Sequence, residues 1–162
     1  MEKIMKRTVQ IITILFICLW VAPVFAHESS SKAMETLREE AKADKKALTA
    51  ENLKLTYNEG KAFWPLYESY QKDLDKINEK LAALILDYAK EYRERSLSDK
   101  KAKQLISSYL DIEEDLVKLQ KSYLKKLSAV IPDKKVMTYI QMENKIQAII
   151  RFDCALGIPL AE

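Results

Sequence analysis

Histidine and cysteine are almost missing from this 162-residue chain, which has His27, Cys18 and Cys154 and no others. A protein zinc or iron site needs several such ligands at short spacings, so no metal and no cofactor is expected. Glycine is just as scarce, with Gly60 and Gly157 only. That excludes a glycine-rich phosphate loop and a nucleophile elbow. Proline adds four positions. With so few turn formers and so much Lys, Glu, Leu and Ala, the chain is expected to be all-α, with few and long elements. Charge of one sign is missing too: 27 Lys and Arg stand against 24 Asp and Glu. Nucleic-acid binding needs a sustained cationic surface, and none is expected here. No grouping of nucleophile, base and electrophile emerges, so the chain does not read as an enzyme. Carboxylates such as Glu113, Glu114 and Asp115 fall off the apolar stripe and read as a solvated face.

What is present begins at the front. Residues 1–26 open with Lys3, Lys6 and Arg7, continue with an apolar run from Val9 to Val21, and end in Val24-Phe25-Ala26. This is the layout of a secretory signal peptide cleaved after Ala26. The run is roughly 13 residues, shorter than the roughly 20 that a spanning helix needs. Nothing downstream is apolar enough to span a bilayer, so the product is expected to be exported, with no transmembrane segment once the leader is removed. Without Glu2, Lys3, Lys6 and Arg7 the charge is nearly balanced. His27 becomes the terminal residue and reads as unstructured. Cys18 leaves with the leader, and Ile17 before it does not suit lipidation. Cys154 is then a lone thiol, either buried or cross-linking two chains.

Residues 27–50 read as a polar leader followed by a weak helix. Ala, Glu and Lys favour helix there, but the apolar residues Met34, Leu37, Ala41 and Leu48 are thinly spaced. The segment either docks loosely or frays. Residues 51–162 read as one helical hairpin domain. Thr56-Tyr57-Asn58-Glu59 has the form of a capping box and opens a helix expected to reach about Arg95. Its apolar residues recur at steps of three and four through Phe63, Leu66, Tyr70, Leu74, Ile77, Leu81, Leu84, Tyr88 and Tyr92. Pro65 lies inside the pattern and is expected to kink it. Ser98 or Asp99 caps a second helix, with Ala102, Leu105, Tyr109, Ile112, Leu116, Leu119, Tyr123 and Leu127 on its seam. The short connection predicts an antiparallel pair. Pro132 suits the first turn of a shorter third helix, which carries Val136, Tyr139, Ile140, Ile146, Ile149, Ile150 and Phe152 and stops at Gly157 and Pro159. Lys121, Lys125, Lys126, Lys134 and Lys135 gather around Pro132 and read as helix-end charges.

Tyrosines are unusually frequent on these seams. An apolar ring with a polar tip suits a half-exposed groove. The last helix is too short to shield both long helices. Phe63, Trp64, Tyr67, Tyr70, Tyr88 and Tyr92 are therefore candidates for holding a polypeptide, with the rings of Tyr67, Tyr70, Tyr88 and Tyr92 expected to be exposed.

The export leader, the long hairpin and the segment Leu55-Thr56-Tyr57-Asn58-Glu59 together resemble the Spy/CpxP group of periplasmic stress proteins, which carry an LTxxQ motif, usually twice. Leu55 and Thr56 match, with Glu59 at the glutamine position. Leu97-Ser98-Asp99-Lys100-Lys101 is a weaker second copy. The resemblance implies a periplasmic homodimer, and either ATP-independent holding of unfolded envelope proteins or inhibition of a sensor kinase. Two functions are thus expected to compete. One is a chaperone-like or envelope-stress adaptor that binds other polypeptides. The other is a structural or assembly module that pairs with itself or docks on a fixed envelope partner.

Overall fold

The computed structural model describes residues 29–161 as four α-helices, with no strand among the described residues. They are α1 (Ser29–Leu53), α2 (Tyr57–Glu94), α3 (Asp99–Ser128) and α4 (Asp133–Gly157). The expected signal peptide, Cys18 and His27 lie outside the described residues.

Local chemistry sets the helix ends. The Thr56 hydroxyl accepts from the Glu59 N–H, and the Glu59 carboxylate accepts from the Thr56 N–H at 2.7 Å. This satisfies two of the donors that a helix start leaves without partners. Replacing Thr56 with alanine removes one half of the box. It is expected to lower stability by about 1 kcal/mol, read from chemical denaturation; a loss below a few tenths would mean that water replaces the cap. At the far end Arg95 turns left-handed, with φ 52°, and the Ser96 N–H reaches back to the Glu91 carbonyl. Such closure normally falls to glycine. Ser98 then caps α3 by accepting from the Lys101 N–H. Pro132 caps α4 instead of occupying its first turn, and its carbonyl accepts from Lys135 and Val136. Pro65 sits inside a continuous α2. Its missing N–H frees the Lys61 carbonyl at an exposed position, where water can take the bond.

Two compact units arise from these helices. One contains 55–136 with 158–161, and the other 29–54 with 137–157. Most of α4 groups with the N-terminal helix, so these units differ in bounds from the helical hairpin domain expected over 51–162. In the first unit α2 and α3 form an antiparallel hairpin. Three cross-links run in opposite order along the two helices: Asp73 to Tyr123, Lys80 to Asp115 and Asp87 to Lys101. The core gathers at one end, where Phe63, Tyr67, Tyr70, Leu74, Tyr123, Leu127, Ile131 and Val136 are buried. The turn after α3 folds back on this end, and Lys135 pairs with Glu59 at 2.7 Å. Toward the hairpin bend only Ala89 and Ile112 are buried, while Leu81, Leu84, Leu105, Leu116 and Leu119 are half-buried.

In the second unit the helix begins at Ser29, inside the stretch expected as an irregular leader. One face of α1 presents Asp44, Lys45, Leu48, Thr49 and Leu53, with Thr49 and Leu53 buried. Lys45 reaches Glu143 of α4 at 2.8 Å, and Glu143 is 1% exposed. A polar pair therefore joins α1 to α4 where the apolar stripe is thin.

Candidate functional site

Three of the six aromatic candidates are core residues. Phe63, Tyr67 and Tyr70 are buried, which corrects the expectation of exposed rings at Tyr67 and Tyr70. They share this end of the hairpin with Tyr123 and Leu127 of α3 and with Ile131 and Val136 of the following turn, all buried as well. Phe63 packs edge-on against Trp64 at 5.1 Å and beside Tyr67 at 6.0 Å, and Trp64 meets Tyr67 edge-on at 5.4 Å. Tyr70 crosses to Tyr123 at 5.3 Å in the T-shaped geometry that aromatic quadrupoles favour. The Tyr123 hydroxyl donates to Asp73 at 3.0 Å, and the Lys126 ammonium lies 4.2 Å from the ring centroid. Each tyrosine here serves as a large core residue.

Trp64, Tyr88 and Tyr92 are half-buried. Tyr88 and Tyr92 lie side by side at 6.1 Å, and the Tyr88 hydroxyl donates to the Pro159 carbonyl at 2.9 Å. Leu55 is half-buried beside the capping pair Thr56 and Glu59. Of the lysines around Pro132, Lys135 is taken by Glu59 and Lys126 lies over Tyr123, while Lys121 and Lys125 are exposed.

Sequence reasoning placed one apolar stripe on α3, but the helix carries two. Beside the inner seam, Ile106, Leu110, Val117 and Leu124 point outward, exposed by 61, 59, 46 and 47%. Tyr109, expected on the inner seam, is also exposed, because it sits at the border between the stripes. The signal was present as doublets: Leu105-Ile106, Tyr109-Leu110, Leu116-Val117 and Tyr123-Leu124. Neighbours on a helix stand about 100° apart. When the first of each doublet enters the hairpin, the second is left on the flank. Leu86 of α2 and Met137, Phe152 and Leu156 of α4 are exposed as well, but they form no comparable row.

A shallow groove of about 420 Å³ runs between α2 and α3, lined by Ile77 and Leu119 and by charged residues. Those charges answer one another: Lys76 pairs with Asp73, Lys80 with Asp115 and Lys118 with Glu114. This composition suits a solvated seam better than a ligand pocket.

The same pairs shift acidities. The Lys135 ammonium, then the Thr56 N–H, hold the Glu59 carboxyl below its ordinary value. Lys76 and the Tyr123 hydroxyl do the same for Asp73, and Lys80 for Asp115. Depressed carboxylates contribute stability that is present above their unfolded values, near pH 4. It is lost as pH falls through the lower folded values. The hairpin is therefore expected to keep its melting temperature from neutrality to about pH 5 and to lose it progressively below about pH 4. Melting curves against pH check this, and Asp73→Asn combined with Glu59→Gln should flatten the acid limb. Burial, then the nearby Asp153, pushes the half-buried Cys154 thiol up. It is thus protonated near neutrality and slow in disulfide exchange.

Among the described residues no helix is long and apolar enough to cross a membrane. Comparison with protein-family models, with curated proteins and with solved structures found no match.

Proposed function

We propose that the protein is exported to the periplasm and binds other polypeptides there without catalysis, as an ATP-independent chaperone-like or envelope-stress adaptor. One observation carries the reading: the row of large aliphatic side chains left in solvent along α3. Large apolar side chains gathered in solvent along one face of a helix suit a polypeptide partner. Lysines Lys121 and Lys125 flank the row and suit steering of acidic segments. Export rests on the signal-like residues 1–26, and the stress-protein kinship on Leu55, Thr56 and Glu59. The half-buried Trp64, Tyr88 and Tyr92 remain the aromatic part of the proposed contact surface.

The test is suppression of aggregation of a thermally unfolded envelope protein by a several-fold molar excess of this one. Protection that is lost on replacing Leu110 and Val117 by serine supports the reading, and absence of protection at any ratio removes it. A second reading is an assembly module that pairs with itself or docks on a fixed partner. It is favoured by the closure of Phe63, Tyr67 and Tyr70 into the core, which leaves less open surface than a promiscuous holder uses. Strong fluorescence of a dye for apolar surface argues for holding, and silence argues for a closed assembly.

A further inference from the structure

Residues 158–161 follow α4 in the chain but belong to the hairpin unit. Ile158 is extended, with φ −97° and ψ 113°, as the residue before a proline is held. Pro159 fixes its own φ and has no N–H to donate. The stretch Ile158-Pro159-Leu160 is therefore an extended strand whose carbonyls are left for partners outside it. One of them has such a partner: the Tyr88 hydroxyl donates to the Pro159 carbonyl at 2.9 Å. Among the described residues no other hydrogen bond reaches 158–161.

Tyr88 belongs to an apolar line. Leu81, Ile85, Tyr88 and Tyr92 follow one another at steps of four, three and four along α2, and all four are half-buried. The rings of Tyr88 and Tyr92 are 6.1 Å apart and inclined at 44°. Neighbouring aromatic rings with a polar tip suit extended, proline-bearing peptides. The rings offer apolar surface to the proline, the tip takes a carbonyl, and the stiff peptide loses little entropy on docking. The chain's own segment uses the tip without filling the ledge. Ile158 is half-buried, but Pro159 is exposed and Leu160 is 87% exposed. An occupant held by one neutral hydrogen bond and one half-covered aliphatic side chain is easily displaced.

We propose that the Tyr88–Tyr92 ledge of α2 is a subsite for an extended, proline-bearing segment of a partner polypeptide, and that residues 158–160 occupy it at rest as a displaceable stand-in. The resting contact stands on the geometry; its service to partners rests on the polypeptide-binding reading given above. The subsite adds chemistry to that reading, namely a preference for an aliphatic residue followed by proline. Unfolded chains present such segments with free carbonyls, whereas folded proteins have most of theirs paired.

The probe is a fluorescently labelled peptide with the sequence of residues 155–161, followed by anisotropy against the whole protein. Binding to the parent is expected to be weak, because the tethered segment competes at high effective concentration. Ile158→Gly combined with Pro159→Gly in the protein frees the ledge and should tighten the peptide about tenfold. Adding Tyr88→Phe keeps the ring and removes the donor, and should loosen it again about fivefold, the worth of one neutral hydrogen bond. Circular dichroism on the same samples shows that the helices remain. Equal affinity for the parent and the double-glycine protein overturns the stand-in. No binding to the double-glycine protein, or binding indifferent to Tyr88→Phe, overturns the subsite and leaves the row on α3 to the aggregation test. Binding that follows Tyr88, with no suppression of aggregation by either protein, removes the chaperone-like reading and leaves the subsite.

Discussion

Replacing Lys45 with methionine is expected to cost about 3–5 kcal/mol in the unit built from α1 and most of α4, the usual range when one partner of a buried ion pair is removed. The Lys45 side chain is 13% exposed and that of Glu143 2%, with 2.8 Å between ammonium and carboxylate. Methionine keeps the aliphatic stem and removes only the charge. Glu143 is then a buried carboxylate deprived of the cation opposite it, and α1 must shift to admit water. The double variant Lys45→Met with Glu143→Met should recover most of the loss, because an apolar pair of similar volume avoids the desolvation of both ions. Hydrogen exchange over residues 39–53 and 137–150 reads the effect where it occurs. A single variant within about 0.5 kcal/mol of the parent, the size of an ordinary surface change, would show that water already reaches the pair.

Phe63→Ala carries the second large effect, about 3–5 kcal/mol, and it falls on the hairpin unit. Phe63 is fully buried, and its ring touches Trp64 and is neighboured by Tyr67. Truncation leaves a cavity among rigid rings that cannot easily collapse into it. Leu110→Ala removes an aliphatic side chain of similar hydrophobic character from α3, yet it should stay within about 0.5 kcal/mol, since Leu110 is mostly in water already. Urea denaturation of both variants separates the two kinds of apolar residue. Equal losses at the two positions would mean that the outer row of α3 is covered in solution.

The hairpin was legible because its determinants are local. A three-and-four periodicity identifies the faces of α2 and α3, and Thr56 with Glu59 needs only four residues to form its box. Ser98 likewise announces α3 from its own neighbourhood. The aromatic residues were not legible in this way. Whether Tyr70 points its ring into water or onto Tyr123 depends on a partner 53 residues downstream, and the spacing of Tyr70 is the same in either case. The pairing of α1 was hidden for a related reason. Lys45 and Glu143 are 98 residues apart, and each looks like one more solvated charge on a charged helix. The outer row of α3 was visible in principle as apolar doublets. One stripe had already explained the helix, and the second member of each doublet looked like surplus.

The uneven filling of the hairpin has a mechanical result. Large rings lock the end that holds Phe63, Tyr70 and Tyr123, whereas the arms near Arg95 and Ser98 are held by half-covered leucines and by charge pairs open to solvent. Cooperative opening follows the density of buried contacts. The helices should therefore fluctuate more toward the bend than at the packed end, within the slack that the four-residue connection leaves. Amide exchange is expected to be faster around the half-buried Leu84 and Leu105 than around Tyr70 and Tyr123.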